Sequence, residues 1–233
     1  MRKSTTTAEK WLQAGLEVLR PPAFFQGTDV DMSASETTIR QHSEQGKRVT
    51  YTHLLVWSVA KALSEVDNEP VEIGVSVGGD SFVAPVMVVS DPQEKSFHDL
   101  ALEIIERTPA IRADDRRFHK LLNRWGWLVP TKILKRFVIR ILMSVPGFSR
   151  KGTGTFQVSM APWIEESTAP MFSTTGIVVG GAVESKIVCC QNQPAVKPVM
   201  RITLAADHRK WNGQQGGTFL KKVKWHMENL GTC

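Results

Sequence analysis

Hydrophobic positions along the chain follow two periods, which predicts a mixture of helices and strands. Apolar residues recur every three to four positions in five stretches, which predicts helices over residues 8–19, 34–45, 52–66, 96–107 and 218–230. Apolar and polar residues alternate in other stretches, which predicts strands over residues 24–33, 71–77, 82–89, 154–160, 175–181 and 199–206. Residues 182–190 either extend the strand at 175–181 or pair with it.

Capping patterns mark the starts of three of these helices. Their predicted caps are Ser33 with Glu36, either Thr50 or Thr52, and Ser96 with Asp99. Val66 and Ile105 are predicted to lie on the core faces of their helices.

The connections favour a sheet that is not doubly wound. Gly78-Gly79-Asp80 predicts a hairpin turn between the second and third strands. Short links between strands favour a mixed or largely antiparallel sheet with helices on one side, in the α/β (α+β) class. No glycine-rich dinucleotide fingerprint and no Walker sequence is present, so these two nucleotide sites are not expected.

Composition adds limits on compartment and metal. The sequence has 233 residues and only three cysteines, Cys189, Cys190 and Cys233, without Cys-x-x-Cys spacing. This pattern predicts a cytoplasmic protein without structural zinc, and no bound metal is expected. No apolar run is long enough for a spanning helix, and the N-terminus lacks the apolar core of a signal peptide.

Charge is unevenly distributed along the chain. The net charge is +6, and residues 116–164 contain no acidic residue. Within this stretch, residues 125–146 interleave apolar side chains with Lys132, Lys135, Arg136 and Arg140, at helical spacing from Thr131 onward. The pattern predicts a basic amphipathic helix, with the basic residues on or beside the face opposite the apolar one. Such a helix suits an anionic membrane, an acidic carrier protein or a long acyl chain, or it packs on the domain with its basic face in water.

A histidine near the C-terminus is the main candidate for chemistry. Residues 207–213 read Asp-His-Arg-Lys-Trp-Asn-Gly and lie between a predicted strand and a predicted helix. Such junctions present side chains into clefts. His208 can accept and return a proton near neutral pH, although the heptapeptide taken alone favours a structural histidine over a catalytic one.

Four motifs in order resemble the catalytic domain of the dihydrolipoamide acyltransferases (E2) of 2-oxo acid dehydrogenase complexes. Residues 207–213 resemble its Asp-His-Arg-x-x-Asp/Asn-Gly signature, and residues 154–159, Gly-Thr-Phe-Gln-Val-Ser, are similar to its Gly-Thr-Phe-Thr-Ile-Ser strand. Residues 82–87 and 50–63 resemble its Leu-Ile-Val-Pro-Val-Ile stretch and the helix before it. The resemblance implies the chloramphenicol acetyltransferase-like two-layer sandwich for the chain from about residue 24, interrupted near 116–150.

The family resemblance implies roles for three residues. His208 is the expected general base, Ser159 the expected donor to the oxyanion, and Asn212 the residue that positions the histidine loop. A strand serine bonded to nearby backbone is the alternative for Ser159. Pro162 and Trp163 depart from the family's usual sequence and resemble the chloramphenicol acetyltransferase branch, which would bring Glu165 to the site instead. Asp207 and Arg209 are expected to be architectural.

The resemblance also implies partners. We expect one catalytic domain over 1–233, with an N-terminal helical extension (about 1–22) and a basic insertion (about 116–150). We expect a homotrimer or a larger cage with the site in a channel between subunits. Coenzyme A is the expected co-substrate and no residue is assigned to it. No lipoyl domain is visible in the sequence, so the acyl acceptor is expected to be a free molecule or a carrier or lipoyl protein in trans.

Two rival functions remain at this stage. The first is a non-catalytic trimeric or cage-forming scaffold that kept the fold. The second is a membrane-binding or nucleic-acid-binding protein led by the basic segment. Nucleic acid is not expected, because aromatic side chains suited to stacking on bases are few.

Overall fold

The computed structural model describes residues 6–18, 22–66, 70–78, 84–144, 153–171, 174–190 and 192–230. The helices are α1 (Thr7–Val18), α2 (Ser33–Glu44), α3 (Tyr51–Ser64), α4 (Phe97–Trp125), α5 (Lys132–Ser144) and α6 (Gly213–Glu228). The strands are β1 (Ala23–Asp31), β2 (Glu72–Ser76), β3 (Val86–Ser90), β4 (Phe156–Met160), β5 (Gly176–Cys190) and β6 (Gln193–Asp207). Short 3₁₀ turns occupy Pro92–Glu94 and Gly126–Leu128.

The strands form one mixed sheet in the order β1-β6-β5-β4-β2-β3. β4 is parallel to both of its neighbours, whereas the β1–β6, β5–β6 and β2–β3 pairs are antiparallel. The mixed sheet predicted from the sequence is therefore confirmed. Gly79 and Asp80 of the predicted hairpin turn lie outside the described residues.

The main core fills the space between one face of the sheet and helices α2, α3, α4 and α6. Leu54, Leu55 and Val59 of α3 are fully buried there against strand residues such as Ile73 and Val178. On the opposite face a smaller cluster packs beneath the loop 161–171. Helices thus cover one side of the sheet, as predicted.

Strands β5 and β6 form a hairpin longer than predicted. Residues 175–181 and 182–190 belong to one strand, β5, which pairs with β6 over nearly its whole length. The register shifts between Gly180 and Val183, so a bulge separates the two halves. That bulge breaks the apolar alternation, which is why the sequence left two interpretations open.

Two of the three predicted caps are observed. The side chain of Ser96 accepts a hydrogen bond from the backbone N–H of Asp99 at 3.1 Å, and Thr50 is the N-cap of α3. The prediction for Ser33 is wrong: α2 begins at Ser33 itself, and the hydroxyl of Ser33 donates to Asp31 Oδ1 at 2.6 Å. Because the Ser33 hydroxyl is bonded to Asp31 at the end of β1, it does not cap α2.

Helix α4 runs far beyond the predicted end at residue 107, through Pro109, to Trp125. A proline inside a helix removes one backbone donor, and it commonly ends the helix. Contacts beyond Pro109 keep this helix in place, since Ile111 packs on the core and Arg112 Nε donates to the carbonyl of Gly78 at 2.7 Å. Ile105, predicted to face inward, is exposed instead.

Two other element boundaries also differ from the prediction. Helix α3 ends at Ser64, so Val66 lies beyond it and is exposed rather than part of the core. Helix α6 begins at Gly213, five residues earlier than predicted, because Asn212 supplies a cap that the apolar pattern did not reveal.

The N-terminal helix α1 packs on the end of α4 and on α5. Trp11 Nε1 donates to the carbonyl of Gly126 at 3.1 Å, and the backbone N–H of Ala8 donates to Asn123 Oδ1 at 2.9 Å. Helix α5 lies against the same helix, with Lys135 Nζ 5.9 Å from the ring centre of Trp11. Helix α1 therefore packs against both the C-terminal end of α4 and α5.

Helix α5 agrees only in part with the predicted arrangement of a helix packed on the domain with its basic face in water. Lys132 and Arg140 are exposed and Ile139 is half-buried beside α1. Lys135, however, is buried, while Ile133, Phe137 and Ile141 are exposed. None of the described helices combines the length and the apolar character required to cross a membrane.

Candidate active site

His208 lies in a tight turn at the end of β6. The backbone N–H groups of Lys210 and Trp211 both donate to the carbonyl of Asp207, at 2.9 and 3.0 Å. The N–H of Asp207 in turn donates to the carbonyl of Thr175 at 3.0 Å. The turn is thus fixed by backbone bonds on both sides of His208.

Asp207 and Arg209 brace this turn with a bidentate ion pair. Arg209 Nη2 lies 2.6 Å from Asp207 Oδ2, and Arg209 Nε lies 2.9 Å from Oδ1. Hydrogen bonding to Arg209 lowers the pKa of the buried Asp207 carboxyl below its usual range. Since the carboxylate is occupied by Arg209, it is a support of the turn rather than a partner of the imidazole.

The backbone and ring of His208 contact the start of β1. The N–H of His208 donates to the carbonyl of Pro22 at 2.9 Å, and its ring meets that of Phe24 edge-on, with centroids 5.4 Å apart. The residue is exposed, and within the described residues no side chain hydrogen-bonds the imidazole. The His208 side chain is therefore exposed in a single chain and accessible to a substrate.

Asn212 fixes the far end of the histidine turn. Its side chain accepts a hydrogen bond from the N–H of Gln215 at 2.9 Å, and the Gln215 side chain accepts one from the N–H of Asn212 at 2.9 Å. This capping box starts α6 directly after the turn. Asn212 is therefore engaged with the helix and does not contact His208.

Ser159 lies on the sheet face away from the main core. Phe156 and Val158 point into the core, so Gln157 and Ser159 point to the other face. Ser159 is half-buried, and its hydroxyl makes no hydrogen bond among the described residues. A serine bonded to nearby backbone, the alternative considered from the sequence, is not observed.

The structure does not bring Ser159 and His208 together within one chain. Ser159 lies opposite Val179 of β5, and Val179 lies opposite Thr203 of β6. His208 is five residues beyond Thr203, about 16 Å along the strands and about 10 Å across them, a separation of roughly 19 Å. Both residues therefore cannot contact one acyl group in the same chain.

The loop 161–171 covers the face of the sheet that carries Ser159. Ala182 N–H donates to the carbonyl of Ile164 at 2.8 Å. An added Cβ on Gly181 would come within 2.0 Å of the Glu165 carbonyl, so this approach requires a glycine. The Glu165 carboxylate forms a salt bridge with Lys186. Glu165 thus lies on the Ser159 side of the sheet with its charge already paired.

A cavity of about 240 Å³ lies between this loop and the first strand. Its lining is mostly apolar and includes Phe25, Met171 and Ala205. Ala205 precedes His208 by three residues, so the cavity opens beside the base of the histidine turn. Among the described residues, no cluster of three His, Cys, Asp or Glu side chains could hold a metal ion.

Sequence reasoning missed the contribution of β1 to this site. Pro22 and Phe24 hold His208 from a position nearly 190 residues earlier in the chain. Their contact follows from the antiparallel β1–β6 register, in which Ala23 lies opposite Asp207. The alternation of apolar residues predicted both strands but not which strands pair.

The C-terminal part of the chain matches a known family. Residues 164–233 match the model described as 2-oxoacid dehydrogenases acyltransferase (catalytic domain). This range includes His208 and Asn212 but not Ser159. A search of the curated proteins finds no match.

Solved structures match over nearly the whole chain. A probable dihydrolipoamide acetyltransferase from Listeria monocytogenes is 18% identical over 100% of this chain and 96% of its own, with a TM-score of 0.75. The Azotobacter vinelandii dihydrolipoamide acetyltransferase is 16% identical over 99% and 92%, with a TM-score of 0.74. The cubic core of a pyruvate dehydrogenase multienzyme complex is 17% identical over 99% and 92%, with a TM-score of 0.72.

Chloramphenicol acetyltransferase has the same architecture, with a TM-score of 0.51 at 11% identity over 95% of this chain and 94% of its own. The fold class predicted from the sequence is therefore confirmed. The resemblance inferred from the sequence is confirmed as well. The chain has the fold of the dihydrolipoamide acyltransferase catalytic domains, and its residues 164–233 match the acyltransferase catalytic-domain family of the 2-oxoacid dehydrogenases.

Proposed function

We propose that the protein is a stand-alone acyltransferase that moves an acyl group from a coenzyme A or carrier-protein thioester to a thiol, hydroxyl or amine. His208 is the general base. Ser159 of a neighbouring copy donates a hydrogen bond to the oxyanion, and Asn212 holds the histidine turn. Support comes from the family match around His208 and from the whole-chain fold.

The proposed chemistry requires one proton to be held and returned. A ring nitrogen of His208 takes the proton from the acceptor as its sulfur, oxygen or nitrogen attacks the thioester carbonyl. The negative charge on the resulting tetrahedral oxygen is stabilised by the serine hydroxyl, a contact worth about 3 kcal/mol. The carbon–sulfur bond to coenzyme A then breaks, and His208 returns the proton to the departing thiolate.

The observation that carries this proposal is the state of the His208 side chain. The turn around it is fixed by an ion pair, a helix cap and backbone bonds, and its ring contacts Phe24, yet within the described residues no side chain hydrogen-bonds the imidazole. A structural histidine would use its ring nitrogens to hold the turn. An imidazole that is carried on a fixed turn and has no hydrogen-bonding side chain suits a proton acceptor in a substrate channel.

The separation of Ser159 from His208 supports a site built from two copies. A ring of three copies joined head to tail would place the serine of each next to the histidine of the following one, giving three equal sites. The Azotobacter protein is described through catalytic roles of a serine, a histidine and an asparagine, the same three residue types. A trimer is therefore the smallest assembly we propose, and a larger cage would be built from such trimers.

Charge around the turn suits an anionic donor. Lys210 is exposed two residues after His208, Arg209 is exposed but paired with Asp207, and the whole chain carries a net charge of +6. Cationic side chains near the mouth of a site raise the local concentration of a phosphate-bearing substrate such as coenzyme A. The acyl group itself is proposed to occupy the mostly apolar cavity beside Ala205.

Thioester consumption tests the proposal directly. The purified protein is incubated with acetyl-CoA and longer acyl-CoA thioesters and a panel of thiol, hydroxyl and amine acceptors, and release of free thiol is followed. We expect His208→Ala to lower turnover by several orders of magnitude, because it removes the base, while gel filtration shows an unchanged assembly. His42→Ala, which changes a histidine on α2, is the matched control and should retain turnover.

Two results would contradict the proposal. Equal turnover by the wild type and His208→Ala would exclude His208 as the base. Absence of thiol release with every donor and every acceptor, from a stable trimer or cage, would favour the non-catalytic scaffold.

A further inference from the structure

Helix α5 presents an apolar surface that the described fold leaves uncovered. Ile133 is 78% exposed, Phe137 59% and Ile141 52%. These residues recur every four positions, so they form one row along α5. We call this row, with Leu134 beside it, the α5 apolar face.

The opposite side of α5 carries a cation inward. Lys135 is only 5% exposed and lies beside the Trp11 ring, which provides a cation–π contact. Isoleucine and phenylalanine are normally buried and lysine is normally exposed, so these residues of α5 show the reverse of the usual distribution. The arrangement becomes favourable when another apolar environment covers the exposed row of α5 and removes it from water.

Basic residues line one edge of the same face. Lys132 and Arg140 are exposed and, with Arg136, form the adjacent row at four-residue spacing. Arg116, Arg117, Lys120 and Arg124 are exposed near the end of α4. No acidic residue occurs from 116 to 164, so the segment carries a net positive charge, although Arg117 forms a salt bridge with Asp114 at its start.

We infer that the α5 apolar face docks on an anionic lipid surface. An apolar helix row with cations along its edge is the pattern of a helix that lies in the headgroup region, its aliphatic and aromatic side chains among the acyl chains and its cations at the phosphates. Ile133 projects from a convex helix, a shape that suits a bilayer. The exposed Trp127 adds a side chain that favours the interface between lipid and water.

This inference goes beyond acyl transfer and stands independently of it. The surface is formed by α5 and its neighbours, and none of its residues belongs to the proposed catalytic trio. A failure of lipid binding would therefore leave the thioester test unaffected, and the reverse also holds.

Vesicle flotation with the full-length protein tests the inference. Vesicles contain either phosphatidylcholine alone or phosphatidylcholine with about one third phosphatidylglycerol. We expect the wild type to float with the anionic vesicles, to bind neutral ones at least about tenfold more weakly, and to be released by high salt, which screens surface charge. Ile133→Asp should lower binding to the anionic vesicles by about tenfold or more.

A matched pair of leucine variants controls for a general effect of added charge. Leu134 on α5 is 44% exposed, and Leu102 on α4 is 41% exposed. We expect Leu134→Asp to lose vesicle binding and Leu102→Asp to keep it. Circular dichroism and gel filtration of each variant verify that its fold and assembly are intact.

Four results would overturn the inference. The first is that the wild type binds no vesicles. The second is an equal loss of binding in both leucine variants. The third is a smaller assembly for Leu134→Asp alone, which would identify a second copy of the chain as the occupant. The fourth is binding to an acidic carrier protein in place of vesicles.

Discussion

Asn212 shows how one side chain connects the fold to the site. It closes the histidine turn and begins α6 through its capping box with Gln215. Removing a side-chain cap costs about 1 kcal/mol, whereas Asn and Asp cap about equally well. We therefore expect Asn212→Ala to lower the free energy of unfolding by about 1 kcal/mol and Asn212→Asp to change it little, as measured by denaturant unfolding. An equal loss in both variants would show that the cap is not what stabilises this turn.

Sequence alone identified His208 and Asn212 as candidates because their motif is local, within seven consecutive residues. The contacts that hold His208 are not local. Pro22 and Phe24 reach it only through the β1–β6 register, and residue patterns carry little information on which strands pair. Candidate residues could therefore be named from the sequence, whereas their surroundings could not be predicted.

The stability of the N-terminal end of helix α3 is expected to depend on pH through His53. The N–H of Thr50 donates to His53 Nδ1 at 3.1 Å, so the buried imidazole must be neutral at that nitrogen. Burial, together with the nearby Arg48, lowers the pKa of His53 to about 4 from its usual 6.5. Below pH 6.5 the unfolded chain binds a proton here that the folded chain refuses until about pH 4. Stability from this group is thus present above pH 6.5 and is lost as the pH falls.

Replacing His53 tests that dependence. Gln at this position retains a capping box with Thr50 and does not titrate. Between pH 7.5 and 4.5 we expect the wild type to lose about 2.5 kcal/mol more unfolding free energy than His53→Gln. The unfolded histidine takes up its proton below pH 6.5, and each of the roughly two pH units from there to 4.5 costs a little under 1.4 kcal/mol. Denaturant unfolding at both pH values measures the difference. Parallel losses in the two proteins would contradict the burial argument.

Among whole elements, prediction succeeded where periodicity and turn residues agreed and failed where tertiary contacts decided. Helix α4 continues through Pro109 because Ile111 and Arg112 are held on the far side. Helix α5 was predicted as amphipathic, but its direction of packing depends on Trp11, more than 120 residues away in the chain. Local spacing predicts a helix face without specifying which neighbour that face meets.

On the scale of the whole molecule, the central claim is that the active site is shared between copies. The family resemblance implied a site between subunits, and the sheet register gives a physical reason for it, because it separates Ser159 from His208 by roughly 19 Å within one chain. The size of this separation could not be derived from the sequence, since the order of strands in the sheet sets it. If the proposed roles hold, assembly is a condition for activity.

Mixing two inactive variants tests that claim most directly. Ser159→Ala keeps the base and loses the oxyanion donor, at a cost of about a hundredfold to a thousandfold in turnover, and His208→Ala keeps the donor and loses the base. The two are co-expressed in equal amounts with different tags, and trimers carrying both tags are purified. In a head-to-tail ring of three that contains both variants, one junction in three pairs an intact serine with an intact histidine. We predict that the purified mixed trimers regain about a third of wild-type thioester turnover. Mixed assemblies no more active than either parent would contradict the shared site.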